Sequence, residues 1–219
     1  MEEIIRQFIK SIIKVTPFYY PVRNLIIKGR DRKESVEWEK GGKSRPPPHV
    51  VKQNTLRFYS KNYKLRVLVE TGTYLGDMVE AMKADFDQVY SIELSKEFYE
   101  KATKRFKGVK NLALIHGDSG IELGNVMKRI NQPALFWLDG HYSGNQTAKG
   151  HKDTPIYEEL EHIFKDQEHA HVILIDDARC FGTDSAYPSI GELTEFCRNK
   201  NANLEIVVQD DIIRITPGI

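Results

Sequence analysis

Five short apolar runs alternate with helical patterns from residue 65 onward, and this alternation constrains the fold more than any other feature of the sequence. Strand and helix units joined by right-handed crossovers build a parallel sheet with helices on both faces. The predicted strands are Leu65–Glu70, Gln88–Glu93, Leu112–His116, Ala134–Asp139 and Val172–Asp176. Two further β-rich runs, Leu204–Val208 and Ile212–Thr216, are separated by three polar residues and predict an antiparallel hairpin. The sequence therefore predicts an α/β fold with a doubly wound, mostly parallel seven-stranded sheet that ends in a C-terminal hairpin.

The composition is typical of a globular protein with one principal core. The chain has 219 residues, of which 40% are hydrophobic and 29% charged, and its formal net charge is only +1. Such a balance disfavours binding dominated by nucleic-acid phosphates, so no nucleic-acid partner is predicted. Cys180 and Cys197 lack the spacing of a disulfide framework or zinc site. Without a long apolar run or a basic leader, the expected location is the cytoplasm.

Residues 1–48 are predicted to form an N-terminal helical extension to an α/β domain at 49–219. Residues 4–14 carry an isoleucine-rich helical stripe opposite Arg6, Lys10 and Lys14. The stripe fits packing against the α/β domain or a second subunit, which would make a homodimer, and it also fits peripheral contact with an anionic membrane. Residues 28–48 have no steady period and predict a linker that ends in three prolines.

Residues that could bind a ligand or take part in a reaction follow the predicted strands, at the edge where the ligands of parallel sheets bind. The first strand leads into Glu70-Thr-Gly-Thr-Tyr-Leu-Gly76, whose two glycines allow a ligand close to the backbone. Glu93 closes the second strand, where a carboxylate can accept hydrogen bonds from ribose hydroxyls. Asp118 follows the third strand and is placed to meet the exocyclic amine of an adenine. Either acid alone could be an ordinary turn residue without a ligand. The prediction of a nucleoside site therefore depends on the glycine turn, Glu93 and Asp118 together.

These residues resemble the motifs of the Rossmann-like class I methyltransferases, which use S-adenosylmethionine. Their E/DxGxxxG motif matches Glu70–Gly76, and their acids after the second and third strands match Glu93 and Asp118. The resemblance implies that S-adenosylmethionine is the cofactor, with ribose at Glu93 and adenine near Asp118 and Ser119. The implied cofactor-binding residues are Glu70, Gly72, Thr73, Tyr74, Gly76, Glu93, Asp118, Ser119 and Asp139. Thr73 and Tyr74 stand where many members carry a further glycine.

The segment Trp137–Gly144 resembles a subgroup of small O-methyltransferases that act on sugars and other secondary metabolites. Some relatives hold Mg²⁺ with acids that correspond to Asp139, Asp176 and Asp177. Carboxylates at neighbouring strand ends can form part of an octahedral shell that also receives the hydroxyls of the acceptor. The alternative is that Asp176 and Asp177 cap the next segment while Asp139 only closes its strand.

The loop at 140–153 supplies the predicted general base. His141 lies two residues beyond Asp139, and an imidazole can accept a proton near neutral pH. His141 and Asp139 are therefore the predicted catalytic residues, although a loop histidine is also common as ordinary polar surface.

The predicted function is S-adenosylmethionine-dependent O-methylation of a small-molecule or glycan acceptor, namely a sugar, glycan or polyhydroxylated metabolite. One alternative is an NAD(P)-dependent oxidoreductase, which the incomplete phosphate loop disfavours. Another is a non-catalytic nucleoside-binding protein, which the acids at successive strand ends disfavour.

Overall fold

The structure is a computed structural model that describes residues 33–139 and 154–218. The chain divides into two compact units. The smaller unit comprises the residues up to Ser44 together with Pro48–Val50, and the larger unit comprises Arg45–Pro47 together with the residues from Val51 onward. The amphipathic stripe at 4–14, the loop at 140–153 and His141 lie outside the described residues. Among the residues described, no helix is both long and apolar enough to cross a bilayer.

The larger unit contains the predicted sheet. Its seven strands have the order β3-β2-β1-β4-β5-β7-β6, with β1 to β5 parallel and β7 antiparallel to both neighbours. The strands are β1 Val67–Thr71, β2 Gln88–Glu93, β3 Leu112–His116, β4 Ala134–Leu138, β5 Val172–Ile175, β6 Leu204–Gln209 and β7 Ile212–Pro217. The prediction of a mostly parallel sheet with a C-terminal hairpin is confirmed.

A helix precedes β1, and helices connect each strand to the next as far as β6. They are α1 His49–Asn62, α2 Asp77–Met82, α3 Lys96–Arg105, α4 Ser119–Met127, α5 Ile156–Phe164 and α6 Ile190–Lys200. The sequence pattern predicts the start of α4 at Leu123, whereas the helix begins at Ser119 because the Asp118 carboxylate accepts a hydrogen bond from Gly120 N at 2.9 Å and caps it. A helix therefore begins directly after β3.

The central strands are buried on both faces, as their nearly continuous apolar sequences predict. Alternate side chains of β4 enter different cores, since successive residues of a strand point to opposite faces. Phe136 packs in the cluster that includes α4, α5 and α6, whereas Trp137 packs with Leu56 of α1 and Met82 of α2. The sheet is thus held rigidly between two helical layers.

The prediction of a linker over residues 28–48 is wrong within the described part. Residues 33–40 form a helix that ends at Gly41 and Gly42. No amphipathic period marks it, but most of its residues tolerate a helix, and Lys33 pairs with Glu37 one turn later at 3.7 Å. Trp38, which is buried, donates from Nε1 to Ser44 O. Periodicity alone missed a short helix whose inward face is little more than one tryptophan.

Candidate active site

The candidate site lies at the carboxyl edge of the sheet, where the strand order reverses between β1 and β4. In open α/β sheets this reversal opens a crevice in which ligands bind. Backbone hydrogen bonds tie the strand ends together here: Asp139 N donates to Thr71 O at 3.1 Å, and Asp176 N donates to Leu138 O at 3.0 Å. The polar residues that follow β1, β4 and β5 therefore share a rigid base.

The turn between β1 and α2 requires both of its predicted glycines. Gly72 and Gly76 have φ angles of 86° and 75°, in the left-handed region that favours glycine. A Cβ on Gly76 would also lie 2.6 Å from Cε2 of Phe106. Gly72 N donates to Ile92 O of β2 at 2.9 Å, which holds the turn against the neighbouring strand.

Glu93, the predicted ribose ligand, has both carboxylate oxygens anchored to the backbone. One oxygen accepts from Tyr74 N at 2.7 Å and the other from Ser95 N at 2.8 Å. Burial raises the pKa of Glu93 above its usual range. Since a carboxylate oxygen accepts more than one hydrogen bond, each oxygen keeps acceptor capacity for a ligand hydroxyl. The two backbone hydrogen bonds fix the orientation of the Glu93 carboxylate beside the glycine turn, and with it the direction from which a ligand hydroxyl can donate.

Glu70 is a buried part of the turn. Its Oε2 accepts from Ser91 Oγ at 2.5 Å, and Ser91 Oγ lies 2.5 Å from Thr73 Oγ1. Burial raises the pKa of Glu70 to about 8, so its carboxyl carries a proton at neutral pH. Glu70 and Thr73 thus stabilise the turn from within, while Tyr74 extends outward at 40% exposure. Of these three predicted cofactor contacts, Tyr74 presents its side chain to solvent.

Asp118 and Ser119 lie beyond β3, at the start of α4. One oxygen of Asp118 serves as the helix cap, and Ser119 is largely buried. Gly117 N donates to Glu93 O at 3.0 Å, so this turn lies beside the residue predicted to bind ribose. The adenine contacts stay predictions, on residues that the fold brings next to Glu93.

Three carboxylates converge beyond β4 and β5, as predicted. Oxygens of Asp139, Asp176 and Asp177 all lie within 4.8 Å of one another. We call these three residues the acidic cluster. Cations of the protein contact it: Lys52 Nζ of α1 contacts Asp176 Oδ2 and lies 3.6 Å from Asp177 Oδ1, and Arg179 Nη1 donates to Asp177 Oδ1 at 2.7 Å.

These contacts do not fit the predicted magnesium site. Asp176 Oδ1 accepts from Asp177 N at 2.8 Å, while its other oxygen is the one that the Lys52 ammonium contacts. Mg²⁺ requires near-octahedral oxygen ligation at short distances, and a second cation on the same oxygen would repel it. Burial alone would lower the pKa of Lys52, but the attraction of Asp176, Asp139 and Asp177 outweighs it and the pKa is raised. Lys52 therefore stays charged and occupies the position that a metal ion would need.

The sequence interpretation missed Lys52, Arg179 and Asp211. Asp211, fully buried, accepts from Arg179 N at 2.8 Å and also contacts the guanidinium, which links the β6–β7 turn to the acidic cluster. Lys52 lies 124 residues before Asp176, and no motif joins them. The available signal was local: Lys52 precedes Leu56 by one helical turn, so it shares the buried face of α1.

Comparisons with known proteins agree with this architecture. No protein-family model and no curated protein matches the sequence. Among solved structures, the O-methyltransferase of Bacillus cereus in complex with SAH is similar at a TM-score of 0.55 and 14% identity, over 84% of this chain and 89% of that chain. TomG, a Streptomyces achromogenes O-methyltransferase of tomaymycin synthesis in complex with SAM, has a TM-score of 0.53 and 14% identity over 85% of this chain and 89% of its own.

Enzymes with another acceptor chemistry are equally similar. The N-methyltransferase NodS of Bradyrhizobium japonicum has a TM-score of 0.53 and 11% identity, over 78% of this chain and 97% of that one. Because identities this low reflect shared architecture, the likeness identifies the fold and leaves the acceptor open. With its strand order, its glycine turn and its terminal hairpin, the chain has the fold of the class I S-adenosylmethionine-dependent methyltransferases.

Proposed function

We propose that this protein is an S-adenosylmethionine-dependent O-methyltransferase that acts on a hydroxyl of a sugar, glycan or polyhydroxylated metabolite. The observation that carries the proposal is the Glu93 carboxylate, held by two backbone N–H groups beside the glycine turn at the sheet's reversal point. A fixed bidentate acceptor suits a vicinal diol such as that of ribose, since both hydroxyls can donate to one carboxylate.

The charge of the carboxyl edge supports a cationic cofactor. Among the described residues around the acidic cluster, Asp139, Asp176, Asp177 and Asp211 contribute four carboxylates, against the two cations Lys52 and Arg179. A sulfonium would be stabilised by this excess of negative charge, whereas the pyrophosphate of a nicotinamide dinucleotide would be repelled. The same carboxylates suit an acceptor with several hydroxyls, because each oxygen can accept a hydrogen bond.

The cofactor supplies a methyl group that is already activated by a positively charged sulfur. The protein has to align the acceptor oxygen with that methyl carbon and keep water out. Bound S-adenosylmethionine would supply its methyl group to the acceptor oxygen, and the electron pair of the broken carbon–sulfur bond would remain on sulfur. Among the described residues, Asp139 lies at the crevice and is the carboxylate to accept the hydroxyl proton. The predicted role of His141 is the same proton transfer, from the adjoining loop.

Isothermal titration calorimetry with S-adenosylhomocysteine, NAD and NADP tests the cofactor. We expect heat from S-adenosylhomocysteine alone. Binding of NAD or NADP in its place would support the oxidoreductase alternative, and the absence of heat from every ligand with a folded protein would refute the proposal.

Transfer of a labelled methyl group then tests the acceptor class. We expect incorporation into polyhydroxylated sugars or glycans, and none into RNA. Incorporation into amines or RNA with no labelled polyol would retain the cofactor assignment and overturn the acceptor assignment.

A further inference from the structure

Lys52 is carried to the acidic cluster by the packing of α1. Leu56, one turn further along the helix, is fully buried in the same core as Leu68, Trp137 and Leu174. Residues four apart lie on one face of a helix. Burial of Leu56 therefore directs Lys52 inward as well, at the N-terminal end of α1, which lies at the carboxyl edge of the sheet.

The ammonium lies where the carboxylates converge. Its Nζ contacts Asp176 Oδ2 and lies 3.6 Å from Asp177 Oδ1, and the charge of Asp139 attracts it as well. The side chains of Lys52 and Asp176 are 14% and 1% exposed, so the pair is shielded from solvent. One lysine thus neutralises part of a cluster whose members come from the ends of two strands.

A contribution to stability alone would not explain why Lys52 and Asp176 form a buried ion pair. Desolvation offsets most of the attraction in a buried ion pair, and well-packed apolar residues often stabilise a protein as much. Three carboxylates within 4.8 Å of one another repel unless a cation lies among them. Asp139 also borders the crevice beside the glycine turn, where its orientation matters for an acceptor.

We propose that the Lys52 ammonium is the built-in cation of the acidic cluster, that it takes the place of a divalent metal ion, and that it fixes Asp176 and Asp177 beside Asp139, the carboxylate that accepts the proton of the acceptor hydroxyl. The acceptor part of this inference rests on the proposed function, whereas the exclusion of the metal does not. Lys52 acts through the carboxylates and is a positioning residue. Methyl transfer by this protein is accordingly independent of added metal and insensitive to chelators.

Titration of the chelator-treated 219-residue chain with MnCl₂, followed by the electron paramagnetic resonance signal of free Mn²⁺, tests the inference. Wild type is expected to bind no Mn²⁺ at the acidic cluster. Lys52→Met and Lys52→Gln remove the competing charge. Both variants are expected to bind Mn²⁺ at the acidic cluster at least tenfold more tightly than wild type does, which corresponds to about 1.4 kcal/mol. Adding Asp176→Asn to Lys52→Met should abolish the gained site.

Two variants serve as matched controls. Lys52→Arg keeps the charge, and Lys61→Met removes an exposed lysine from the same helix. Both are expected to bind Mn²⁺ no better than wild type. A general loss of positive charge would instead give Lys61→Met the same gain as Lys52→Met.

Wild-type binding of Mn²⁺ that weakens tenfold or more in Asp176→Asn would overturn the inference. So would folded Lys52→Met and Lys52→Gln proteins, verified by circular dichroism, that gain no site. If neither neutral variant folds, the comparison of wild type with Asp176→Asn decides the question. Calorimetry that detects no S-adenosylhomocysteine binding would refute the proposed function and leave the Mn²⁺ result to judge Lys52 separately.

Discussion

Among the described residues, two groups of potential metal ligands lie at opposite edges of the same sheet. The acidic cluster follows β4 and β5 at the carboxyl edge, whereas Asp166, His169 and His171 precede β5 at the amino edge. In both groups the ligand atoms lie within 4.8 Å of one another. Residue type and spacing therefore give both groups the same standing as candidate metal sites.

Their hydrogen bonds separate them. His171 Nδ1 accepts from Ala134 N at 3.1 Å, so the proton of this ring is on Nε2 and is donated to Asp166 Oδ2 at 3.1 Å. Neither nitrogen then has a lone pair for a metal. Although burial opposes it, hydrogen bonds from His169 and His171 lower the pKa of Asp166 to about 2. The amino-edge group joins the starts of β4 and β5, whereas the carboxyl edge directs anchored carboxylates toward a crevice. If this comparison is right, variants at the carboxyl edge change ligand affinity and variants at the amino edge change stability alone.

Gly76→Ala should give the largest effect. The left-handed φ and the approach of the new Cβ to Phe106 together are expected to destabilise the protein by about 3 kcal/mol. Gly108→Ala is the matched control, because Gly108 has a φ of 87° but no atom within 4 Å of the added Cβ. Urea denaturation should show a loss of only about 1 kcal/mol there. Equal losses in both variants would show that the Phe106 contact is unimportant.

Glu93→Ala is expected to weaken S-adenosylhomocysteine binding about 100-fold, or about 2.7 kcal/mol. The variant loses the ligand acceptor and releases Tyr74 N and Ser95 N from their partner. Calorimetry measures the affinity, and Glu97→Ala, on the exposed side of α3, should bind like wild type. An unchanged affinity in a folded Glu93→Ala protein would remove the carboxyl edge from the cofactor site.

His171→Ala tests the other edge. Loss of the acceptor for buried Ala134 N is expected to cost about 2 kcal/mol of unfolding free energy while S-adenosylhomocysteine affinity stays within about twofold. His169→Ala, at a more exposed ring, should lose less. A tenfold weaker affinity in folded His171→Ala would contradict the separation of the two edges.

The two edges should also respond oppositely to pH. Burial lowers the pKa of His171, so the unfolded chain takes up a proton that the folded protein excludes, and stability falls as pH decreases through about 6.5. His171→Ala should remove this acid-side loss.

Glu70 has the reverse dependence on pH. Its pKa is raised from 4.5 to about 8, so between these values the folded protein holds a proton that the unfolded chain releases. Stability should decrease as pH rises through this window, by at most about 1.4 kcal/mol per pH unit. Glu70→Gln should flatten the profile in unfolding measurements from pH 5 to 9. A wild-type profile that rises through this window with the same slope as Glu70→Gln would contradict a protonated Glu70.

Much of the architecture was readable from local patterns. The continuous apolar runs at Ala134–Leu138 and Val172–Ile175 identified central strands. A strand that is buried on both faces has apolar side chains at successive positions, without the apolar–polar alternation of a half-exposed strand. Gly72 and Gly76 identified the turn, since its backbone angles exclude most other residues. The helix at 33–40 was missed because it carries no amphipathic stripe; intrinsic propensity and the Lys33–Glu37 ion pair favour it instead.

The protonation state and hydrogen-bond partners of each site residue could not be predicted from local patterns. Nothing local distinguishes the buried, protonated Glu70 from the anchored Glu93, because both are glutamates at the carboxyl ends of neighbouring strands. That difference depends on burial, which raises the pKa of Glu70 despite its hydrogen bond from Ser91, and on Tyr74 N and Ser95 N, which donate to Glu93.

The order of apolar runs and glycines in the chain was enough to specify a parallel sheet with its acids at one edge, because side-chain periodicity and backbone sterics act between near neighbours. Which cation those acids hold was settled by folding, because Lys52 meets Asp176 across 124 positions and does so only when Leu56 is buried against the sheet. Electrostatic energies depend on distance and burial in space, and a linear sequence specifies neither until the chain has packed.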